Sequence, residues 1–287
     1  MGVNYLNSNN FTNQLEILHL NSEQAKDLVI DHARQLVNQL IELRGHDKPP
    51  FLPEEFISLQ GIKEIVKAKL GETSAILLRF HDGYVIKVNE SHHPVRQNFS
   101  CAHEIGHILF SELKLERYIH TIEYRTFNPQ ARAIARARAR ERLCDAAATE
   151  LLMPESVFRK YLSGFGLSIS SIEHLARVFR VSVQAAAIRI AEVSIDPCLA
   201  LLWKPWPKNN PKGLRLAWCI GKGKNILPLQ QLVKNSSKLY EAYKRDNPVK
   251  SSKVFRVDKN TKRLSMESKG FGYGETRYVI SLAFLDK

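Results

Sequence analysis

His103 and His107 stand at i and i+4 in the stretch SCAHEIGHILF, with Glu104 directly after the first histidine. On a helix of 3.6 residues per turn these positions share one face, so the two imidazoles can grip one ion while Glu104 sits beside it as a base. The same pattern would suit an ordinary amphipathic helix that carries two histidines. A hydrolytic metal site takes three protein ligands and keeps one position open, so the pair is one ligand short. Glu141 and Asp145 in ERLCD are again i and i+4. In a His/His/Glu site the first acid completes the metal shell and the second accepts the N–H of a ligand histidine, fixing its tautomer. The alternative is surface pairing of both acids with Arg138 or Arg142. The apolar neighbours Leu143, Ala146, Ala147, Leu151 and Leu152 favour a largely buried helix.

The elements that must position these residues follow from periodicity. Ala25, Leu28, Val29, Leu36, Val37, Leu40 and Ile41 recur at helical spacing behind a capping box at Asn21 and predict a long amphipathic helix to about Leu43. GHDKPPFLPEE breaks it, and GIKEIVKAKLG reads as a short helix closed by Gly71. SAILLRF and YVIKVN, separated by HDG, read as a β-hairpin that delivers the chain to the histidine helix. After an irregular stretch, ARAIARARARERLCDAAATELLMP predicts a second helix stopped at Pro154. Its arginines Arg132, Arg136, Arg138, Arg140 and Arg142 read as a solvated face, with steering of an acidic partner as the second reading. A further helical region begins at Val157. Beyond Pro197 the texture changes to CLALLW, LRLAWCI, KVFRVD and RYVISLAFL, candidate strands among lysine-rich loops.

A chain of 287 residues, 44% hydrophobic, can bury a substantial core and excludes wholesale disorder. Its apolar runs fall short of the roughly 20 residues a bilayer span needs, and MGVNYLNSNN has no signal-like region, so the expectation is a cytoplasmic protein without membrane contact. Four scattered cysteines form no CxxC pair and are expected to be reduced. Cys101 reads as a small core residue, with a redox-sensitive thiol as the alternative. The net charge of +13 is uneven: residues 196–287 hold 19 Lys and Arg against 7 Asp and Glu. That balance suits a polyanionic partner such as DNA, bound through the C-terminal third.

RQNFSCAHEIGHILF followed by ERLCDAAATELLMP resembles the ImmA/IrrE metallopeptidases, whose pattern is an HExxH helix and then an ExxxN/D helix ending in LLMP. The resemblance spans Ser74 to Pro154. It implies His103, His107 and Glu141 as ligands of one divalent ion per chain, Zn²⁺ or Mn²⁺, with Glu104 as general base and GYVIKVN as an active-site edge strand. Asp145 stands where asparagine is frequent, which removes no ligand. Tyr118, His120 and Tyr124 are candidates to stabilise the oxyanion.

In SIEHLARVFRVSVQAAAIRI, Ile172, Leu175, Ala176 and Phe179 precede a turn and Ser182 caps a second helix, a helix-turn-helix layout with Arg180 where glycine is usual. Gln184 and Arg189 would be the groove-reaching residues of a DNA reader. Longer stress-regulatory members of the resembled family carry such a unit and then a GAF-like sensory domain. The expected α+β architecture is therefore a zincin-like metallopeptidase domain over 1–165, a helix-turn-helix-like helical unit over 166–195, and a basic GAF-like α/β domain over 196–287. The expected function, on that resemblance, is cleavage of a helix-turn-helix (XRE-type) transcriptional repressor to switch on a stress response. The rivals are a DNA-binding regulator with a vestigial peptidase site and a toxin–antitoxin or phage-linked peptidase.

Overall fold

The computed structural model describes residues 22–115, 128–207, 212–221, 226–257 and 260–285. Asn21, Tyr118, His120 and Tyr124 lie outside them. The chain folds into two compact units, Met1–Pro154 and Glu155–Lys287. Residues 155–195 lie in the second of these units.

In the first unit, α1 (Ser22–Arg44) buries Ala25, Val29, Ala33, Leu36, Val37 and Leu40 along one stripe, as its periodicity requires. Three strands follow: β1 (Ile62–Ala68), β2 (Ala75–Phe80) and β3 (Gly83–Asn89). The expected helix over 61–71 is strand β1, which runs parallel to β3 and pairs Ile65 with Ile86 and Val66 with Lys87. Lateral pairing overrides the weak helical pattern here, and the β-branched Ile62, Ile65 and Val66 suit it. The sheet order is β1-β3-β2, so GYVIKVN is the central strand and β2 lies on the edge, correcting the expected edge assignment.

From β3 the chain enters α2 (Pro94–Glu112) through a fastened connection. The buried Gln97 side chain donates to the carbonyls of Asn89 at 3.0 Å and His92 at 2.8 Å. Asn89 in turn donates to Gly71 and Thr73, each at 2.8 Å. The start of the histidine helix is therefore tied to the strand before it. Helix α3 (Pro129–Leu152) is capped by the Asn128 side chain and packs on both α1 and α2. The almost fully buried Glu150 accepts from Arg34 Nε at 3.1 Å, which pins α1 to α3.

The second unit begins with α4 (Glu155–Ser163), α5 (Ile169–Val178) and α6 (Val183–Val193). Between α5 and α6 Arg180 adopts φ +53°, the left-handed conformation that makes glycine usual at this turn, and Ser182 caps α6 by accepting from Ala185 N. Strands β4 (Cys198–Trp206), β5 (Gly213–Gly221), β6 (Ile226–Pro228) and β7 (Leu232–Lys234) come next. They are followed by α7 (Lys238–Lys244), β8 (Val249–Val257), β9 (Asn260–Phe271) and β10 (Tyr278–Phe284). These strands form an antiparallel sheet of order β6-β8-β9-β10-β4-β5-β7.

Strands β6 and β7 occupy opposite edges of that sheet, yet only residues 229–231 join them. At about 4.8 Å per strand a flat sheet would hold those edges roughly 29 Å apart. Three linking residues reach about 14 Å at most. The sheet must curl until its edges meet, and the link shows it: Leu229 N donates to Val254 O at 3.1 Å on one edge, while Leu216 N donates to Gln231 O at 2.8 Å on the other. Residues 226–234 thus act as one bent strand that closes the curl. Inside it Leu199, Leu201, Trp203, Leu214, Val279 and Ala283 pack with Leu239, Tyr240 and Ala242 of α7. The opposite face of β4 and β5 is covered by α6.

Candidate metal centre

Helices α2 and α3 meet across Gly106. A β-carbon there would lie 2.8 Å from the Cys144 carbonyl oxygen and 3.0 Å from its Cα, so the glycine of HEIGH is what lets the two backbones approach. The sequence reading assigned this residue no role. The close crossing turns the faces of both i, i+4 pairs toward one another. Donor atoms of His103, His107 and Glu141 all lie within 4.8 Å of one another.

Each imidazole is held at both nitrogens. His103 Nδ1 donates to Asp145 Oδ1 at 2.8 Å, and its Nε2 lies 3.1 Å from Glu141 Oε2. A ring with a carboxylate at each nitrogen needs either a second proton or a cation at Nε2. His107 Nδ1 contacts Cys144 Sγ at 3.3 Å, leaving Nε2 at 3.8 Å from the same Glu141 oxygen. The rings stand edge to face with centroids 4.9 Å apart. Two imidazole nitrogens and one carboxylate converging in this way are a donor set that fits a divalent ion such as zinc. Cys144 is the orienting contact that sequence reasoning missed. Its only signal was a position one turn before Ala148 on the buried side of the helix.

Electrostatics divide the roles. Burial lowers the His103 pKa, but the Asp145 hydrogen bond and the charges of Asp145, Glu141 and Glu104 overcome it and hold the group above its usual 6.5. His107 is lowered, first by burial and then by the neighbouring His103. Glu104 is raised, chiefly by burial and further by Glu141, against the opposing pull of His103 and a hydrogen bond from the Leu77 backbone of β2. That bond sets the β2 edge beside the carboxylate. Cys101 is buried, and its thiol is pushed up to about 12 by desolvation and the charges of Glu54 and Glu104, which makes it an inert core residue.

The remaining expected site residues lie in the second unit. Arg189 is 6% exposed and pairs with Glu192 at 3.6 Å. Gln184 hydrogen-bonds Tyr278. Both side chains are engaged within the protein. Among the described residues, no helix is long and apolar enough to cross a membrane.

Residues 61–191 match the Peptidase M78 family, described as the IrrE N-terminal-like domain. Over 122 residues the chain is 33% identical to the radiation response metalloprotease IrrE of Deinococcus radiodurans, covering 42% of this chain and 35% of that protein. Its counterpart from Deinococcus deserti is 32% identical over 117 residues, covering 40% and 39%. The matched segment thus spans little more than a third of either relative. A Mycobacterium tuberculosis transcriptional regulator shares the fold with a TM-score of 0.54 at 15% identity, over 92% of this chain and 82% of that one. Residues 61–191, a little under half of the chain, contain both histidines, Glu104, Glu141 and Asp145, and it is this segment that is similar to the IrrE N-terminal-like peptidases.

Proposed function

We propose that the first unit is a divalent-metal-dependent endopeptidase that cleaves a helix-turn-helix (XRE-type) repressor and so induces a stress response inside the cell. The observation that carries the catalytic part is the convergence of His103, His107 and Glu141 with Glu104 beside them, its pKa raised. The two histidines through Nε2 and Glu141 through a carboxylate oxygen would hold one Zn²⁺ or Mn²⁺ ion. Bound there, the ion supplies Lewis acidity toward a peptide carbonyl and makes water more acidic. Glu104 takes the proton of the attacking water and passes it to the leaving amine, and its raised pKa brings its proton affinity closer to neutrality. Asp145 keeps the His103 proton on Nδ1, so its Nε2 lone pair points into the site, and the Cys144 contact orients the His107 ring with Nε2 turned the same way. The outer edge of β2, with Leu77 next to Glu104, offers backbone groups to an extended peptide, which favours a loop or locally unfolded segment as substrate.

The repressor as substrate rests on the family resemblance, and the stress response rests on that resemblance and on the likeness to the radiation response metalloproteases of Deinococcus. In this reading the second unit is a GAF-like sensor that adjusts when cleavage occurs. The basic charge of residues 196–287 favours one rival, a DNA-binding regulator with a vestigial peptidase site. The deciding experiment incubates the full chain with helix-turn-helix repressors encoded beside its gene, with and without added Zn²⁺ or Mn²⁺, and determines fragment masses. Metal-dependent fragments of one repressor, absent with Glu104→Gln, support the peptidase. Intact repressors together with salt-sensitive DNA binding select the rival.

A further inference from the structure

The curled sheet of the second unit carries a half-open cavity of about 810 Å³ between β8, β9 and α7. Strand alternation explains its floor. Cross-strand partners share a face, so Ser251 opposite Met266 and Lys253 opposite Leu264 lie, with Phe255, on the inner side. Phe255, Leu264 and Met266 are core residues there, and Lys253 occupies a position where the pattern calls for another. Its ammonium reaches inward over the Trp203 ring, 5.1 Å from the centroid. Trp203 is itself fully buried and fixed by its Nε1 donating to Ser281 Oγ at 3.1 Å, so the platform under the lysine is rigid.

The polar groups around this space are unbalanced. Lys238, Lys250 and Arg263 join Lys253 in the lining, and among the described residues no aspartate or glutamate does. Burial alone perturbs Lys253, and no neighbouring charge compensates it. The Ser251 hydroxyl, also in the lining, is buried and makes no hydrogen bond. Leu229, Val233, Leu239 and Met266 supply the apolar wall. Buried polar groups without partners cost stability, and an inward lysine is retained against that cost where something else satisfies it. The volume falls within the range of small-molecule sites, and the composition is that of one: an apolar wall with a few convergent polar groups of one sign.

We propose that this cavity binds a small organic anion, a carboxylate or phosphate group carried on an apolar body, with Lys253 pairing the charge and Ser251 donating a hydrogen bond. The apolar part of the ligand lies against Leu239 and Met266, and the rim cations Lys238 and Arg263 attract it electrostatically. The site is separate from the metal centre, and the proposal stands whether or not the first unit is a peptidase.

The test is titration calorimetry of the full chain with hexanoate, hexyl phosphate and hexanol, repeated on Lys253→Met and on Lys204→Met, an exposed residue outside the lining, as a surface control. Both anions should bind at least tenfold more tightly than hexanol, and the preference between them identifies the headgroup. Lys253→Met should weaken anion binding at least tenfold, while Lys204→Met stays within about twofold, because Lys204 is exposed, lies outside the lining and has its charge screened by solvent. Equal binding of hexanol and hexanoate overturns the proposal on the unsubstituted chain alone, without recourse to a variant. So does the absence of anion binding at millimolar concentration, or an unchanged affinity in Lys253→Met.

Discussion

Around the helix pair of the first unit each ionisable group meets a complementary one: His103 lies between Asp145 and Glu141, His107 between Cys144 and Glu141, and Glu104 against the Leu77 backbone. Inside the curled sheet of the second unit, Lys253 has the face of Trp203 and no carboxylate. The difference lies in how each framework fixes its side chains. Two helices crossing at Gly106 bring four groups together within hydrogen-bond reach, so the donor set names its ligand chemistry. A strand presents alternate residues singly, so one inward cation can stand without a counterion from its own chain. Charge that the fold itself neutralises is site architecture, whereas charge left over is an opening for a partner.

The sharpest way to break this comparison is to remove a metal-site donor. Glu141→Ala should abolish binding of one divalent ion per chain, measured by metal analysis after dialysis, because two imidazoles alone do not close the shell. Full occupancy in that variant would sink the ligand assignment. Glu104→Gln should keep the ion and lose peptide hydrolysis by about 10²–10⁴-fold, the usual scale of a general base. Cleavage at the unsubstituted rate would remove Glu104 from the chemistry.

Asp145→Ala should weaken metal affinity by about 10–100-fold, since it loses the contact that orients His103. It should also move a pH dependence. The His103 pKa is held above 6.5, so protons compete with the ion from above that value downward, and apparent affinity should fall as the pH drops through it. In the metal-free protein the sign reverses. A raised folded-state pKa contributes stability that is fully present below pH 6.5 and lost as the pH rises through the raised value. Thermal melts of metal-free wild type and Asp145→Ala between pH 6 and 8 should therefore converge at the alkaline end. Parallel curves would show that Asp145 does not set the His103 proton.

Smaller effects separate the two frameworks. Gly106→Ala should destabilise the first unit by about 1–3 kcal/mol in denaturant melts, the scale of an overpacked contact, because its β-carbon meets the Cys144 backbone of the facing helix. Lys253→Met, by contrast, should raise the melting temperature slightly, since an isosteric apolar side chain relieves a half-buried, uncompensated charge. A lower melting temperature there would mean that the Trp203 contact outweighs desolvation and that the two units treat charge alike.

What the sequence determined by itself is what local periodicity encodes. The i, i+4 pairs of HEIGH and ERLCD, the stripe of α1, the Ser182 cap and the strand runs of β4, β5, β8 and β10 were all legible, because each pattern closes within one element. Strand β9 was missed because Ser268 and Gly270 take inward positions where apolar residues would have revealed the alternation. Only the tertiary structure decided that 62–68 is a strand, since a parallel partner two strands later in the sequence made it one. The same holds for β2 rather than β3 lying on the edge, for Cys144 holding His107, for Gly106 setting the helix approach, and for Lys253 pointing inward. In each case the deciding contact joins segments far apart in the chain, and a local period carries no record of which surface will come to lie against it.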